Sequence, residues 1–255
     1  MRLGYVTVLL LSLLLSLSTV ARGQTDDSPL VLNGKFTQGS LFRGQLPAGS
    51  QVWLDGQELN INGQGKFVFG FARQASLSHV VSWTLPDGTT GKRRISLSAR
   101  DYDIQRIDGL DSAMVTPPES TLARIRNDSV RVAKARAEIS DFDGVFTGFI
   151  WPAEGPITGV YGSQRILNGK PKTPHYGVDV GAPTGTPVIA PAAGKVTLAE
   201  DLYYSGNTVI VDHGMGVFST FLHLSAMAVK PGPHLDWRIN LVKTRLDPAL
   251  LVPER

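Results

Sequence analysis

Turn signals recur at short intervals along much of this sequence, and they limit the elements it can form. Asp55-Gly56, Asn62-Gly63-Gln64-Gly65 and Pro86-Asp87-Gly88 each separate short apolar runs. Such residues supply the left-handed backbone and the fixed φ that tight turns need. The intervening runs at 52–54, 59–61, 66–71, 79–85 and 93–98 have strand length and β-branched or aromatic content. Residues 24–100 are therefore predicted to form a small β-sandwich. His79 stands alone in one of these strands and reads as structural.

The first 23 residues do not belong to that fold. Arg2 precedes a Leu-rich apolar run at 6–17, and Ala21-Arg22-Gly23 offers the small residues of a signal-peptidase site. The run falls short of the roughly 20 residues of a membrane helix. The expectation is an exported chain, periplasmic, with no membrane span once residues 1–23 are cleaved. The sequence has no cysteine, so neither a disulfide nor a cysteine-linked lipid supports it. With Arg2 and Arg22 removed, 25 Lys+Arg and 22 Asp+Glu become nearly balanced, which argues against nucleic acid as a partner.

Residues 101–148 read as a linker holding one helix at about 119–139. Leu122, Ile125, Val132 and Ile139 mark its apolar stripe at helical spacing. Its Arg and Lys residues read as a solvated face. From 149 to 255 the chain is rich in Gly, Pro and β-branched residues, with almost no helical period. Runs at 187–190, 194–199, 208–212 and 218–222 are predicted strands of a second β domain. The expected fold is thus mostly β: an N-terminal sandwich, a connecting helix and a C-terminal antiparallel sheet.

Four of the five histidines lie in this last third: His175, His213, His223 and His234. His213, between Asp212 and Gly214, reads as a turn residue. In Thr173–Gly181, His175 and Asp179 are both metal-ligand types, and Pro174 with Gly177 argue for a loop entering a short strand. His234 and Asp236 are two apart and share a strand face. Together with His223 they make an inward-facing set suited to a metal with an open coordination position.

Residues 151–255 resemble the M23 (LytM, lysostaphin-like) family of zinc peptidases, which cut peptidoglycan cross-links. The matching motifs are Gly159-Val160-Tyr161-Gly162-Ser163, His175-Tyr176-Gly177-Val178-Asp179, Gly185-Thr186-Pro187-Val188 and Ala190-Pro191-Ala192-Ala193-Gly194-Lys195-Val196. Thr220-Phe221-Leu222-His223-Leu224-Ser225 and Gly232-Pro233-His234-Leu235-Asp236-Trp237 complete the series. The N-terminal β domain, helix and export signal also resemble exported Gram-negative members. The resemblance implies a peptidase domain and a Zn2+ cofactor held by His175, Asp179 and Asp236. It further implies that His234 is the general base, that His223 stabilises the oxyanion, and that peptidoglycan peptides are the substrate.

The sequence departs from the family's pattern twice. Asp236 stands where members usually carry a histidine. A second carboxylate binds zinc at similar length but weakens the metal's pull on water. The stretch from His223 to His234 is also short, by roughly a hairpin of 15–20 residues at usual strand lengths. Two functions follow as expectations: a zinc endopeptidase acting on peptidoglycan cross-links, or a catalytically impaired module that binds peptidoglycan or regulates a cell-wall hydrolase.

Overall fold

The computed structural model describes residues 28–108, 119–227 and 234–254, the side chains of 234–236 excepted. The signal-peptide assignment at 1–23, the Pro117-Pro118 linker and the segment 228–233 lie outside the described residues.

The N-terminal strands are β1 (Val31–Asn33), β2 (Leu41–Gln45), β3 (Gln51–Leu54), β4 (Gln57–Glu58), β5 (Lys66–Gly70), β6 (Ser78–Thr84) and β7 (Thr90–Ser96). They form two antiparallel sheets, β1-β2-β5 and β4-β3-β6-β7. Asp55 and Gly56 both take positive φ (50° and 83°), so a two-residue left-handed turn closes the β3–β4 hairpin. Phe42, Phe67, Phe69, Val52, Val81, Trp83 and Ile95 fill the space between the sheets. Residues of opposite parity on β2 and β5 face the other way: Leu41 and Val68 join the core of the C-terminal half. That sheet is therefore buried on both faces. His79 is structural, with Nδ1 2.6 Å from Asp55 Oδ2 and Nε2 2.8 Å from Ser76 O.

The connection is more ordered than its polarity suggests. β8 (Ile104–Ile107) runs parallel to β10 (Gln164–Leu167), which pairs in turn with β11 (Lys170–Pro171). A 3-10 turn at Glu119–Thr121 leads into α1 (Leu122–Ala135). The helix stops short of the expected end near 139. Arg136 donates its side chain to Thr220 Oγ1 at 2.6 Å, and Ser140 O accepts from Met215 N at 2.9 Å. These tertiary bonds hold the chain against the sheet and take it off the helical path.

The C-terminal sheet has seven strands. β9 (Ile157–Gly159), β12 (Val178–Gly181), β13 (Lys195–Leu202), β14 (Gly206–Asp212), β15 (Val217–Leu222) and β16 (His234–Leu241) order as β13-β14-β15-β16-β12-β9, and β17 (Thr244–Leu246) pairs with the distal half of β16. Every pairing in this sheet is antiparallel. Residues 187–190, expected as a strand, carry no strand pairing. Pro187 lacks a backbone donor, and Ile189 N bonds to the loop carbonyl of Pro152 instead.

The two faces of the sheet differ. On one, Val180, Val211, Val217, Phe221, Trp237 and Ile239 pack against Phe149 and the N-terminal half. On the other, Leu198, Leu202, Ile210 and Phe218 receive Val132 and Ala135 of α1. The second face also carries Asp179 and Asp236.

Candidate metal centre

Backbone pairing sets two of the three predicted ligands opposite each other. Asp179 on β12 stands directly opposite Asp236 on β16, and Gly181 opposite His234. Paired residues in an antiparallel ladder project to the same face with Cβ atoms about 4.5–5.5 Å apart. Asp236 is also opposite Leu222, the residue before His223. The strands thus place Asp179, Asp236 and His234 in one row of one face.

His175 enters from the loop before β12. Its N–H donates to Ser163 O (2.8 Å), and its carbonyl accepts from Gly162 N (2.7 Å). The loop is thereby tied to the Gly159–Ser163 motif. The ring is oriented by the same motif, with Nδ1 3.2 Å from Val160 O. A carbonyl only accepts, so the proton sits on Nδ1 in the neutral ring and the Nε2 lone pair points away. Nε2 lies 3.2 Å from Asp179 Oδ1. A lone pair facing a carboxylate oxygen at that distance calls for a cation or a proton between them. An Nδ1–H bonded to a carbonyl is also the usual outer support of a metal-bound imidazole.

Gly159 supplies room for the carboxylate. A Cβ at this position would lie 2.1 Å from Asp179 Oδ2. The glycine pairs with Asp179 across β9–β12, where the register shifts by a bulge. The imidazole of His175 and the carboxylate of Asp179, with oxygen and nitrogen donors only, suit zinc and related divalent ions. The residues present therefore fit the metal that the sequence resemblance implies. Among the described side chains, no third His, Cys, Asp or Glu joins His175 and Asp179.

His223 adopts a positive φ of 56°, and its N–H donates to Ser205 O at 2.8 Å. It lines a cavity of about 530 Å3 whose other walls include Val209, Val211, Phe221, Ile189 and Met227. Val211 and Phe221 belong to the core on the face opposite Asp179. His223 thus lines a cavity whose sheet walls belong to the face opposite Asp179.

His213 stands in the turn between β14 and β15, its N–H bonded to Val217 O at 2.8 Å. It is fully buried, with Nδ1 2.9 Å from Ala193 O and Nε2 2.7 Å from Ser219 Oγ. Nδ1 donates to the carbonyl, so Nε2 accepts from the Ser219 hydroxyl, which Trp237 Nε1 approaches at 3.4 Å. Burial pushes its pKa down, against the Ala193 bond and Asp212. The role of Gly159 was not legible in the sequence either. Its motif was visible, but the need for a missing Cβ emerges only once β9 pairs with β12.

Comparison with known proteins bears on this geometry. The model of Peptidase family M23 matches residues 173–245. The peptidoglycan DD-endopeptidase ShyA of Vibrio cholerae is 41% identical over 59 residues, 23% of this chain and 14% of ShyA. The cell division protein DipM of Caulobacter vibrioides is 31% identical over 117 residues, 46% of this chain and 18% of DipM. The matched stretches thus span less than a fifth of either relative. The crystal structure of a putative peptidase M23 from Pseudomonas aeruginosa shares the fold, with a TM-score of 0.60 over 85% of this chain and 95% of that one, at 24% identity. The chain's resemblance to peptidase family M23 accordingly stands on residues 173–245 and on a fold shared along most of its length.

Proposed function

We propose that this chain is a zinc-dependent endopeptidase that hydrolyses peptide cross-links of peptidoglycan in the periplasm. The observation that carries the reading is the facing of His175 Nε2 and Asp179 Oδ1 at 3.2 Å, with Asp179 opposite Asp236 in the ladder. His175, Asp179 and Asp236 would hold the zinc. When bound, it supplies the Lewis acidity that lets water attack an amide near neutral pH. The Val160 carbonyl keeps the Nε2 lone pair of His175 directed at the site. His234 would take the proton from the attacking water, and the family resemblance assigns the developing oxyanion to His223. Relatives named as peptidoglycan DD-endopeptidases support the choice of substrate.

The test is digestion of purified sacculi by the zinc-loaded chain. Soluble muropeptides should appear with the wild type and not with His175→Ala. Equal release by both would contradict the proposal. The cavity beside His223 favours one second reading, a module that binds peptidoglycan without cutting it. That reading predicts retention on sacculi with no release by either protein.

A further inference from the structure

A second polar site lies on the same sheet face, between α1 and the β16–β17 hairpin. Thr220 is opposite Arg238, Phe218 opposite Asn240, and Asn240 opposite Arg245. Alternation therefore puts Asp236, Arg238, Asn240 and Arg245 on one face. Arg136, just past the end of α1, reaches over this row to Thr220 Oγ1 at 2.6 Å. Arg136, Asn240, Arg245 and Lys243 line a cavity of about 710 Å3. Arg245 also lies over the ring of Tyr176, 5.9 Å from its centroid, and Tyr176 adjoins His175. The cavity and the candidate metal centre are thus neighbours along one strand.

Two atoms here have unmet demands. Arg136 Nε is buried with no hydrogen-bond partner, and so is Asn240 Oδ1 on a side chain that is 1% exposed. One is a donor and the other an acceptor. A buried polar atom left unpaired is costly, so such pairs mark a site completed by something else. The charge balance says what. Burial and the nearby charges of Arg245 and Arg238 lower the Arg136 pKa to about 10, so this is a place where positive charge accumulates.

We propose that Arg136, Arg245 and Asn240 form a binding subsite for a carboxylate that adjoins an amide N–H, as in a carboxyl-bearing residue of a peptide. The guanidinium groups take the carboxylate. Asn240 Oδ1 takes the N–H, which a phosphate or sulfate lacks. The site is built from its own atoms. Its identification as a substrate subsite rests on the peptidase reading, whereas its ligand chemistry does not.

The experiment measures binding by calorimetry to the full chain carrying His175→Ala, in chelator, so that no metal contributes. The probes are N-acetyl-D-alanyl-D-alanine, its C-terminal amide and inorganic phosphate. The acid should bind at least about tenfold tighter than the amide or phosphate, and Arg136→Gln should remove about that factor. If Arg136→Gln also lowers the melting temperature, Arg245→Gln decides, with the same loss expected. Equal binding of acid and amide, phosphate binding as tight as the acid, or unchanged binding in Arg245→Gln would overturn the proposal. None of these results depends on cleavage. Failure of sacculus digestion would leave the subsite standing, and the reverse also holds.

Discussion

Gly159 is the residue whose absence of a side chain matters most at the metal centre. Gly159→Ala places a Cβ against Asp179 Oδ2 and should cost about 10–100-fold in zinc affinity, the range for removal of an outer support. Calorimetric zinc titration checks this, and a far-ultraviolet spectrum like the wild type's separates it from misfolding. On the proposed ligand set, Asp236 sets a second property. A site with two carboxylates acidifies water less than one with two imidazoles and one carboxylate. Asp236→His should therefore move the acid limb of the pH–activity profile downward. His213 governs stability rather than chemistry. Its folded pKa is depressed by burial, so protonation favours the unfolded chain. Stability is full above the unfolded value of about 6.5 and falls as pH drops through it toward the lower folded value. Melting scans from pH 8 to 5 should show the decline, and His213→Asn should flatten it.

At the scale of elements, what the sequence revealed depended on how local the causes were. The hairpin at Asp55-Gly56 follows from two residues that accept positive φ, and it could be read directly. The strand carrying Asp179 announced itself by Val178 and Val180, both buried. The end of α1 could not be read, because it is set by Thr220 and Met215, 80 or so positions away in the chain. β8 was hidden in a polar linker for the same reason: its partner is β10. Residues 187–190 misled through β-branched content, since a strand also needs a free partner and Pro187 gives up a donor. α1 is itself anchored by a polar contact. Asp128 Oδ2 accepts from Tyr203 N at 2.7 Å, and the carboxylate also binds Arg131. Asp128→Ala strands that N–H and should destabilise the chain by about 1–3 kcal/mol in urea unfolding.

Across the whole molecule, the N-terminal half helps to position the candidate metal centre. Arg73 Nε donates to Gly162 O at 2.9 Å, its guanidinium lies 4.2 Å from the Tyr102 ring centroid, and Tyr102 OH donates to Arg73 O. Gly162 in turn holds the His175 carbonyl. A second tie is the Arg100–Asp247 pair at 2.7 Å, in which Asp247 is 3% exposed. Removing Arg100 leaves a buried carboxylate without its cation, at a cost of about 3–5 kcal/mol. The mostly β character was foreseeable from the turn signals and short apolar runs, but these ties join residues far apart in the chain and appear only in three dimensions. The account's central claim is that His175, Asp179 and Asp236 hold one zinc. Zinc-edge X-ray absorption on the chain loaded with one equivalent tests it most directly. The account predicts one imidazole and two carboxylate ligands at about 2.0–2.2 Å, with the imidazole signature lost in His175→Ala. A zinc shell without imidazole in the wild type, or one unchanged by His175→Ala, would contradict it.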